Sequence, residues 1–205
     1  MGTNMAVKRA KKAQRRKQVL AEKRRAEALE ASLPARVLRA AQAPIQHCLL
    51  TEELFETGIG TLVLARGVTR HQVAFVSFLI DVFCLGIKDV MFKSVEGELF
   101  EMYMDVADAG SPLVSVDPSF GRKLLRDLAA WSRSIGFEPH RDFAAVEPIF
   151  GDVSADASDA VFRFGRDGEP VYIPGPSDTP PVIQRRIEHL RKQGWHSAGA
   201  IDLMP

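Results

Sequence analysis

The sequence contains only two cysteines, Cys48 and Cys84, in 205 residues. Two cysteines are too few for a disulfide framework, so the class of small disulfide-stapled domains is excluded and we expect both to be free thiols in a reducing compartment. Zinc sites use paired ligands at short spacing, such as Cys-x2-Cys, and the sequence lacks such pairs. We therefore expect neither a metal nor a cofactor.

The sequence also lacks a long uninterrupted apolar run. Its longest apolar region covers residues 73–87 and is broken by Asp81, which makes it too short to span a bilayer. The basic residues near the N-terminus are not followed by the apolar stretch of a secretory signal. These absences predict a cytoplasmic protein with no transmembrane segment.

Charge is abundant, and it is unevenly distributed along the chain. The first forty residues carry twelve Lys or Arg against three acids, whereas the remaining residues carry fifteen against twenty-three. The formal net charge of +1 therefore hides a basic segment of +9 joined to an acidic one of −8. Such asymmetry is typical of proteins that contact polyanions through the basic segment.

We call residues 1–40 the basic arm and predict it to be helical or disordered. Its composition favours helix, but its few apolar residues do not form a stripe that could dock on a core. No aromatic residue interleaves the charges, so we expect it to bind RNA or DNA backbones without sequence preference and with strong weakening by salt. The residues predicted to contact phosphates are Lys8, Arg9, Lys11, Lys12, Arg15, Arg16, Lys17, Lys23, Arg24 and Arg25. The alternative is a solubilising tail, because charge runs are often merely solvated.

The remaining sequence predicts an α+β fold in one compact domain over residues 41–194, with a tail over 195–205. A linker over residues 34–44 would join it to the basic arm, where Pro34 would end the arm helix. A small, mostly antiparallel sheet and about three helices are expected. Strands are predicted over 59–68 and 73–85, and residues 87–95 are predicted to form either a third strand or a turn into the next helix. A late hairpin is predicted at Asp167-Gly168, and helices are predicted over 51–58, 96–109, 117–136 and 179–194.

The first group of candidate functional residues lies in the segment LIDVFCLGIKD, which contains Asp81, Cys84, Lys88 and Asp89. A carboxylate inside an apolar strand is costly unless it is paired or borders a cleft, so Asp81 requires a physical reason. Cys84 has the chemistry of a nucleophile, but a small core residue is the favoured interpretation. Lys88 and Asp89 could instead neutralise one another in a turn.

The second group lies in GFEPHRDF, where His140 precedes Asp142 by two residues. A carboxylate can orient a histidine that acts as a general base, although the same residues also form ordinary turns. Cys84, His140 and Asp142 together have the residue types of a thiol-based catalytic triad. A third segment, GRDGEPVYIPGPSDTPP, precedes a helix start that could bind an anion, but Asp178 is more consistent with helix capping.

Four motifs occur in a fixed order: His47-Cys48, then FLIDVFCLGIKD, GFEPHRDF and FGRDGEPVYIPGP. In this order they resemble an uncharacterised family of bacterial proteins, over residues 47–176. The resemblance implies a bacterial, intracellular context and carries no activity, ligand or catalytic residue. The basic arm lies outside it.

The leading functional hypothesis is a non-enzymatic protein that associates with RNA or DNA through the basic arm, while its acidic domain contacts another protein. One alternative is a small hydrolase or transferase with a cleft built from Asp81, Lys88, His140 and Asp142. That alternative requires Asp81 and His140 to reach a common pocket. A second alternative is an interaction module whose arm docks on an acidic partner protein.

Overall fold

The computed structural model describes residues 31–69, 72–176 and 178–195, so the ten predicted phosphate contacts of the basic arm lie outside the described residues. The described residues form six α-helices, five strands and two short 3-10 helices. The helices are α1 Leu33–Ala40, α2 Leu54–Thr57, α3 Gly97–Gly110, α4 Pro118–Ser134, α5 Phe143–Val146 and α6 Pro180–Lys192. The strands are β1 Ile45–Thr51, β2 Ile59–Thr69, β3 Gln72–Asp81, β4 Gly86–Val95 and β5 Leu113–Ser115, and the 3-10 helices cover Glu147–Phe150 and Ala155–Ala157.

The strands form one antiparallel sheet in the order β4-β3-β2-β1-β5, which confirms the α+β class. The runs predicted over 59–68 and 73–85 form β2 and β3, but β3 ends at Asp81 and residues 82–85 form the turn that follows it. Residues 87–95, which are predicted to form a strand or a turn, lie in β4. Thr69 pairs with Gln72 and Asp81 pairs with Gly86, so these strands are joined by successive hairpins. β4 and β5 are the two edges of the described sheet.

The sheet separates two cores because successive side chains of a strand point to opposite faces. On one face, strand residues such as Leu64 and Phe78 pack with Leu124 and Leu128 of α4. On the other face, a smaller cluster that includes Phe75 packs against Phe100 of α3. A third cluster, with Cys84, Leu85, Ile135, Tyr172 and Leu190 fully or almost fully buried, joins α6 to the β3–β4 turn.

Helix α4 follows the predicted signals closely. Asp117 caps it by accepting a hydrogen bond from the Ser119 backbone N–H at 2.7 Å, and Pro118 occupies the first helical position. Its apolar residues lie at helical spacing and face the sheet. Gly136, with φ +88°, follows the helix in the left-handed conformation that glycine tolerates.

The predicted linker over residues 34–44 is wrong, because α1 occupies most of it. Pro34 stands in the first turn of this helix, where its missing N–H and fixed φ are favourable, so it begins a helix rather than ending one. Ser32 caps the same turn, and Val37 is fully buried in the main core. The helix therefore belongs to the folded domain.

The helix predicted over residues 51–58 is shorter than expected. Thr51 does not cap it: this residue ends β1, and its Oγ1 accepts a hydrogen bond from the Thr61 backbone N–H at 2.9 Å. Only Leu54–Thr57 is helical, and Gly58, with φ +83°, ends it as predicted.

The prediction of a late hairpin is correct for the turn at Asp167-Gly168 but wrong for the two strands. Arg166 and Glu169 form an isolated bridge around Asp167-Gly168, but no strand extends from it within the described residues. The neighbouring Gly165 and Val171 N–H groups instead donate to carbonyls of the β3–β4 turn. All described strands therefore lie between residues 45 and 115 rather than at both ends of the domain. Within the part of the chain that the structure describes, no helix is long and apolar enough to cross a membrane.

Candidate functional site

Two clefts contain the charged residues of interest, and the first begins at α1. We call it the arginine cleft; its volume is about 420 Å³, and its larger lining residues are Arg36, Arg39, Arg66, Gln72, Phe92 and Ser94. Arg36 and Arg39 lie one helical turn apart, and both are exposed. The strands β2, β3 and β4 supply the floor, so the cleft is built from segments far apart in sequence.

The arginine cleft has a strongly cationic lining. No acidic side chain lines it, and neither Arg36 nor Arg39 forms an ion pair within the described ranges. The Arg36 guanidinium lies over the ring of Phe92, with its carbon 5.0 Å from the ring centre. The two exposed guanidinium groups are therefore free to bind an anion.

Arg66 has a different role, because it is almost completely buried in the floor of this cleft. Its guanidinium donates to the carbonyls of Ala43, Ile149 and Phe150 at 2.5 to 2.6 Å. Burial lowers the pKa of this guanidinium from its ordinary value. The side chain thus ties β2 to the loop before β1 and to the 3-10 helix Glu147–Phe150.

The second cleft brings together two of the predicted catalytic candidates, Lys88 and His140. We call it the lysine–histidine cleft; it encloses about 240 Å³ and is lined by Leu85, Ile87, Lys88, Phe137, His140 and Arg186, with Glu138 also contributing. The His140 backbone N–H donates to the Ile87 carbonyl at 2.8 Å, which holds the GFEPHRDF loop against β4. Residues from β4, this loop and α6 therefore meet at one place.

The predicted orientation of His140 by the Asp142 carboxylate is not what the structure shows. The Asp142 backbone N–H donates to His140 Nδ1 at 3.3 Å, while the Asp142 carboxylate lies 3.9 Å from Arg141. Nδ1 is thereby an acceptor, so the neutral imidazole carries its proton on Nε2. Nε2 lies 3.6 Å from Asp89 Oδ1. Neutral His140 therefore presents a hydrogen-bond donor to the cleft rather than a base.

Asp81 does not share the lysine–histidine cleft. Its side chain is fully buried, and Oδ1 accepts hydrogen bonds from the backbone N–H groups of Phe83 and Cys84 at 3.0 and 2.8 Å. These bonds fix the β3–β4 turn, which is the physical reason for a carboxylate at the end of an apolar strand. Burial raises the pKa of Asp81, opposed in part by those donors and by the charge of Lys88.

The two cysteines are free thiols and both are buried, which agrees with the core position predicted for Cys84. Burial raises the pKa of the Cys48 thiol to about 12 and also raises that of Cys84, so both thiols are protonated at neutral pH. Cys84 is fully buried in the third cluster and does not line the lysine–histidine cleft. The structure therefore does not bring Cys84, His140 and Asp142 into one accessible triad.

The sequence did not predict Arg186, which lies in the lysine–histidine cleft and belongs to a partly buried polar cluster. Its Nη1 donates to Tyr172 Oη at 2.6 Å and to Asp178 at 2.9 Å. Asp178 also accepts from the Tyr172 hydroxyl and the Gly175 N–H, so it braces the loop before α6 instead of capping the helix. Burial would raise the pKa of the Asp178 carboxyl, but these hydrogen bonds and Arg186 hold it below its usual value.

Within residues 31–69, 72–176 and 178–195, no three His, Cys, Asp or Glu side chains are placed to hold a metal ion. Comparisons with protein-family models, with curated proteins and with solved structures found no match for this chain. The resemblance of the four motifs to a bacterial family therefore stays a prediction.

Proposed function

We propose that this protein associates with RNA or DNA by binding the phosphate backbone through the basic residues within positions 8–25 of the basic arm and through the arginine cleft, which starts at α1. The observation that supports the proposal is an acid-free cleft in which Arg36 and Arg39 are exposed and unpaired among the described residues, directly after the basic sequence. Phosphate groups favour such guanidinium groups because arginine is always charged and donates in a planar fork.

The cleft and the arm sequence are close enough to contact one nucleic-acid molecule. Ser32, the cap of α1, follows Arg25 by seven positions, and seven residue steps can span at most about 24 Å. Phosphates follow one another along a strand at a spacing of a few ångströms, so several fall within this reach. The arginines of the cleft would then determine where the nucleic-acid strand contacts the domain.

The charge of the rest of the domain favours nucleic-acid binding on the face that carries α1. The outer part of α3, on the opposite face of the sheet, carries Glu98, Glu101, Asp105 and Asp108, and the helix contains no Lys or Arg. These carboxylates repel phosphates. A nucleic acid is therefore directed to the face that carries α1.

The proposal predicts that charge removal in the cleft and in the arm weakens the same binding. We expect Arg36→Gln with Arg39→Gln to reduce the affinity for generic RNA or DNA about equally for all sequences, and to lower the salt slope by about 1 to 2. Replacing Lys11, Arg15 and Arg16 by Gln should lower the slope by about 2 to 3. Fluorescence anisotropy over a salt series, with the full chain, measures both effects.

A matched control removes two charges elsewhere. Arg163 and Arg166 are exposed and lie outside both clefts, so Arg163→Gln with Arg166→Gln should leave the salt slope unchanged. Equal losses in the control and cleft variants would refute a role for the arginine cleft. Absence of nucleic-acid binding by the wild-type chain would instead favour the arm as a docking segment for an acidic protein.

The hydrolase or transferase alternative receives less support from the geometry. Lys88 and His140 share a cleft, but the fully buried Asp81 does not line it, and neutral His140 is protonated on Nε2. The side chains that reach this cleft are suited to hold an anion rather than to remove a proton.

A further inference from the structure

The lysine–histidine cleft contains nitrogen donors from three separate parts of the chain. Lys88 belongs to β4, His140 to the loop after α4, and Arg186 to α6. Leu85, Ile87 and Phe137 provide apolar walls beside these donors. A concave site with apolar walls and a few convergent polar groups is the usual architecture of a small-molecule pocket.

Several N–H groups of these three side chains have no hydrogen-bond partner among the described residues. Lys88 Nζ has no hydrogen-bond or ion-pair partner within the described ranges, and Arg186 bonds there through Nη1 alone, which leaves Nε and Nη2. His140 Nε2 carries a proton, but Asp89 Oδ1 at 3.6 Å is too distant for a good hydrogen bond. Three side chains thus have donor groups available to a ligand.

The surrounding acids only partly neutralise this site. Asp178 is bound to Arg186, and Glu138 is an exposed partner of Arg133. Asp89 is also exposed, with 66% of its side chain accessible, so water screens it. Asp81 is buried beneath the turn, and its burial favours the neutral carboxylic acid. The charge of Lys88 is therefore the least compensated in the cleft.

We propose that the lysine–histidine cleft binds a small organic phosphate, with the phosphoryl group held by Lys88, His140 and Arg186 and an apolar body against Phe137. A phosphoryl group presents several oxygens in different directions, which suits donors that come from three elements. A carboxylate would be satisfied by one guanidinium fork.

This site is separate from the nucleic-acid surface proposed above. Lys88 in the lysine–histidine cleft and Ser94 in the arginine cleft lie six residues apart on β4, which is about 20 Å along a strand. The inference therefore does not depend on the proposed function. Either one can fail alone.

The test is an NMR titration of the full chain, in which the imidazole Cε1–Hε1 signals are followed during addition of inorganic phosphate and of phenyl phosphate. The His140 signal, assigned with a His140→Gln variant, should move in a saturable way, while the His47 signal stays in place. Phenyl phosphate should bind several-fold more tightly than inorganic phosphate, because its ring can contact the apolar wall.

Substitutions then locate the site. Lys88→Gln should raise the dissociation constant of phenyl phosphate about tenfold or more, since a charge-assisted bond is lost. Lys93→Gln, on the opposite face of β4, and the pair Arg36→Gln with Arg39→Gln should leave it unchanged. An immobile His140 signal, or an unchanged constant for Lys88→Gln, would overturn the proposal. Loss of phosphate binding in the Arg36 and Arg39 variant would do the same and would leave the nucleic-acid proposal standing.

Discussion

Replacement of Arg66 by methionine is expected to destabilise the domain by about 3 to 5 kcal/mol, because two buried carbonyl groups and one partly buried carbonyl group would lose their hydrogen-bond donor. The Arg66 guanidinium donates to Ala43, Ile149 and Phe150, which belong to two segments more than a hundred residues apart in sequence. Methionine fills similar space but donates nothing. Urea denaturation followed by circular dichroism measures the loss directly.

A lysine at position 66 distinguishes the contribution of the positive charge to stability from that of the guanidinium geometry. Arg66→Lys retains the positive charge, but its single ammonium group cannot reach three carbonyls as the guanidinium fork does, so we expect an intermediate loss. Arg36→Gln, at an exposed position, should change the free energy of unfolding by less than about 0.5 kcal/mol. If Arg66→Met is as mild as Arg36→Gln, the buried bonds contribute little.

Replacement of Asp81 is expected to show that its hydrogen bonds, rather than its charge, stabilise the β3–β4 turn. Asp81→Ala removes the acceptor of the Phe83 and Cys84 N–H groups, both buried, at a cost of about 2 to 4 kcal/mol. Asp81→Asn keeps an acceptor oxygen for these two N–H groups, so the loss should be smaller than for Asp81→Ala. It should not vanish, because the amide nitrogen would replace Oδ2, which is buried without a hydrogen-bond partner among the described residues.

The free energies of unfolding of the wild type and of Asp81→Asn are expected to differ in their dependence on pH. Burial raises the pKa of Asp81 above the ordinary value of 3.8, so the folded state favours the protonated form. Its stabilising contribution is complete below that value and is lost as the pH rises through the folded pKa. Asn is neutral throughout, so the stability of Asp81→Asn relative to wild type should increase from pH 4 to pH 8. A flat difference between these two proteins in urea denaturation would contradict this account.

The central hairpins could be predicted because their sequences carry the signal locally. Residues 59–68 and 73–85 are rich in β-branched and aromatic residues, and Thr69 pairs with Gln72 close by in sequence. β1 lacks that signal, since Gln46 and His47 interrupt it, and β5 has only three residues. Their strand conformation comes from pairing with β2 and with each other, which is a tertiary effect.

The candidate sites were predictable to the extent that their chemistry is contiguous in sequence. Lys88 and His140 stand out in short polar segments beside apolar elements, and both line one cleft. Arg186 is one of several basic residues in α6, and nothing local distinguishes it from Arg185. The arginine cleft depends on Phe92 and Gln72 lying beside α1, a proximity that only the folded sheet creates.

The position of β4 at the edge of the sheet has a consequence for self-association. A strand of ten residues at an edge presents backbone groups with which another copy of the chain could pair and begin a fibre, although the Ile87 carbonyl is already bonded to the His140 N–H. The strand carries the charged side chains of Lys88, Asp89 and Lys93, and charge on an edge strand disfavours pairing with another chain. The pairing register between β3 and β4 also shifts between Leu79 and Ile80, which distorts the edge. Lys88 would then have two roles, since the ammonium group that is available to a ligand also disfavours aggregation of the domain.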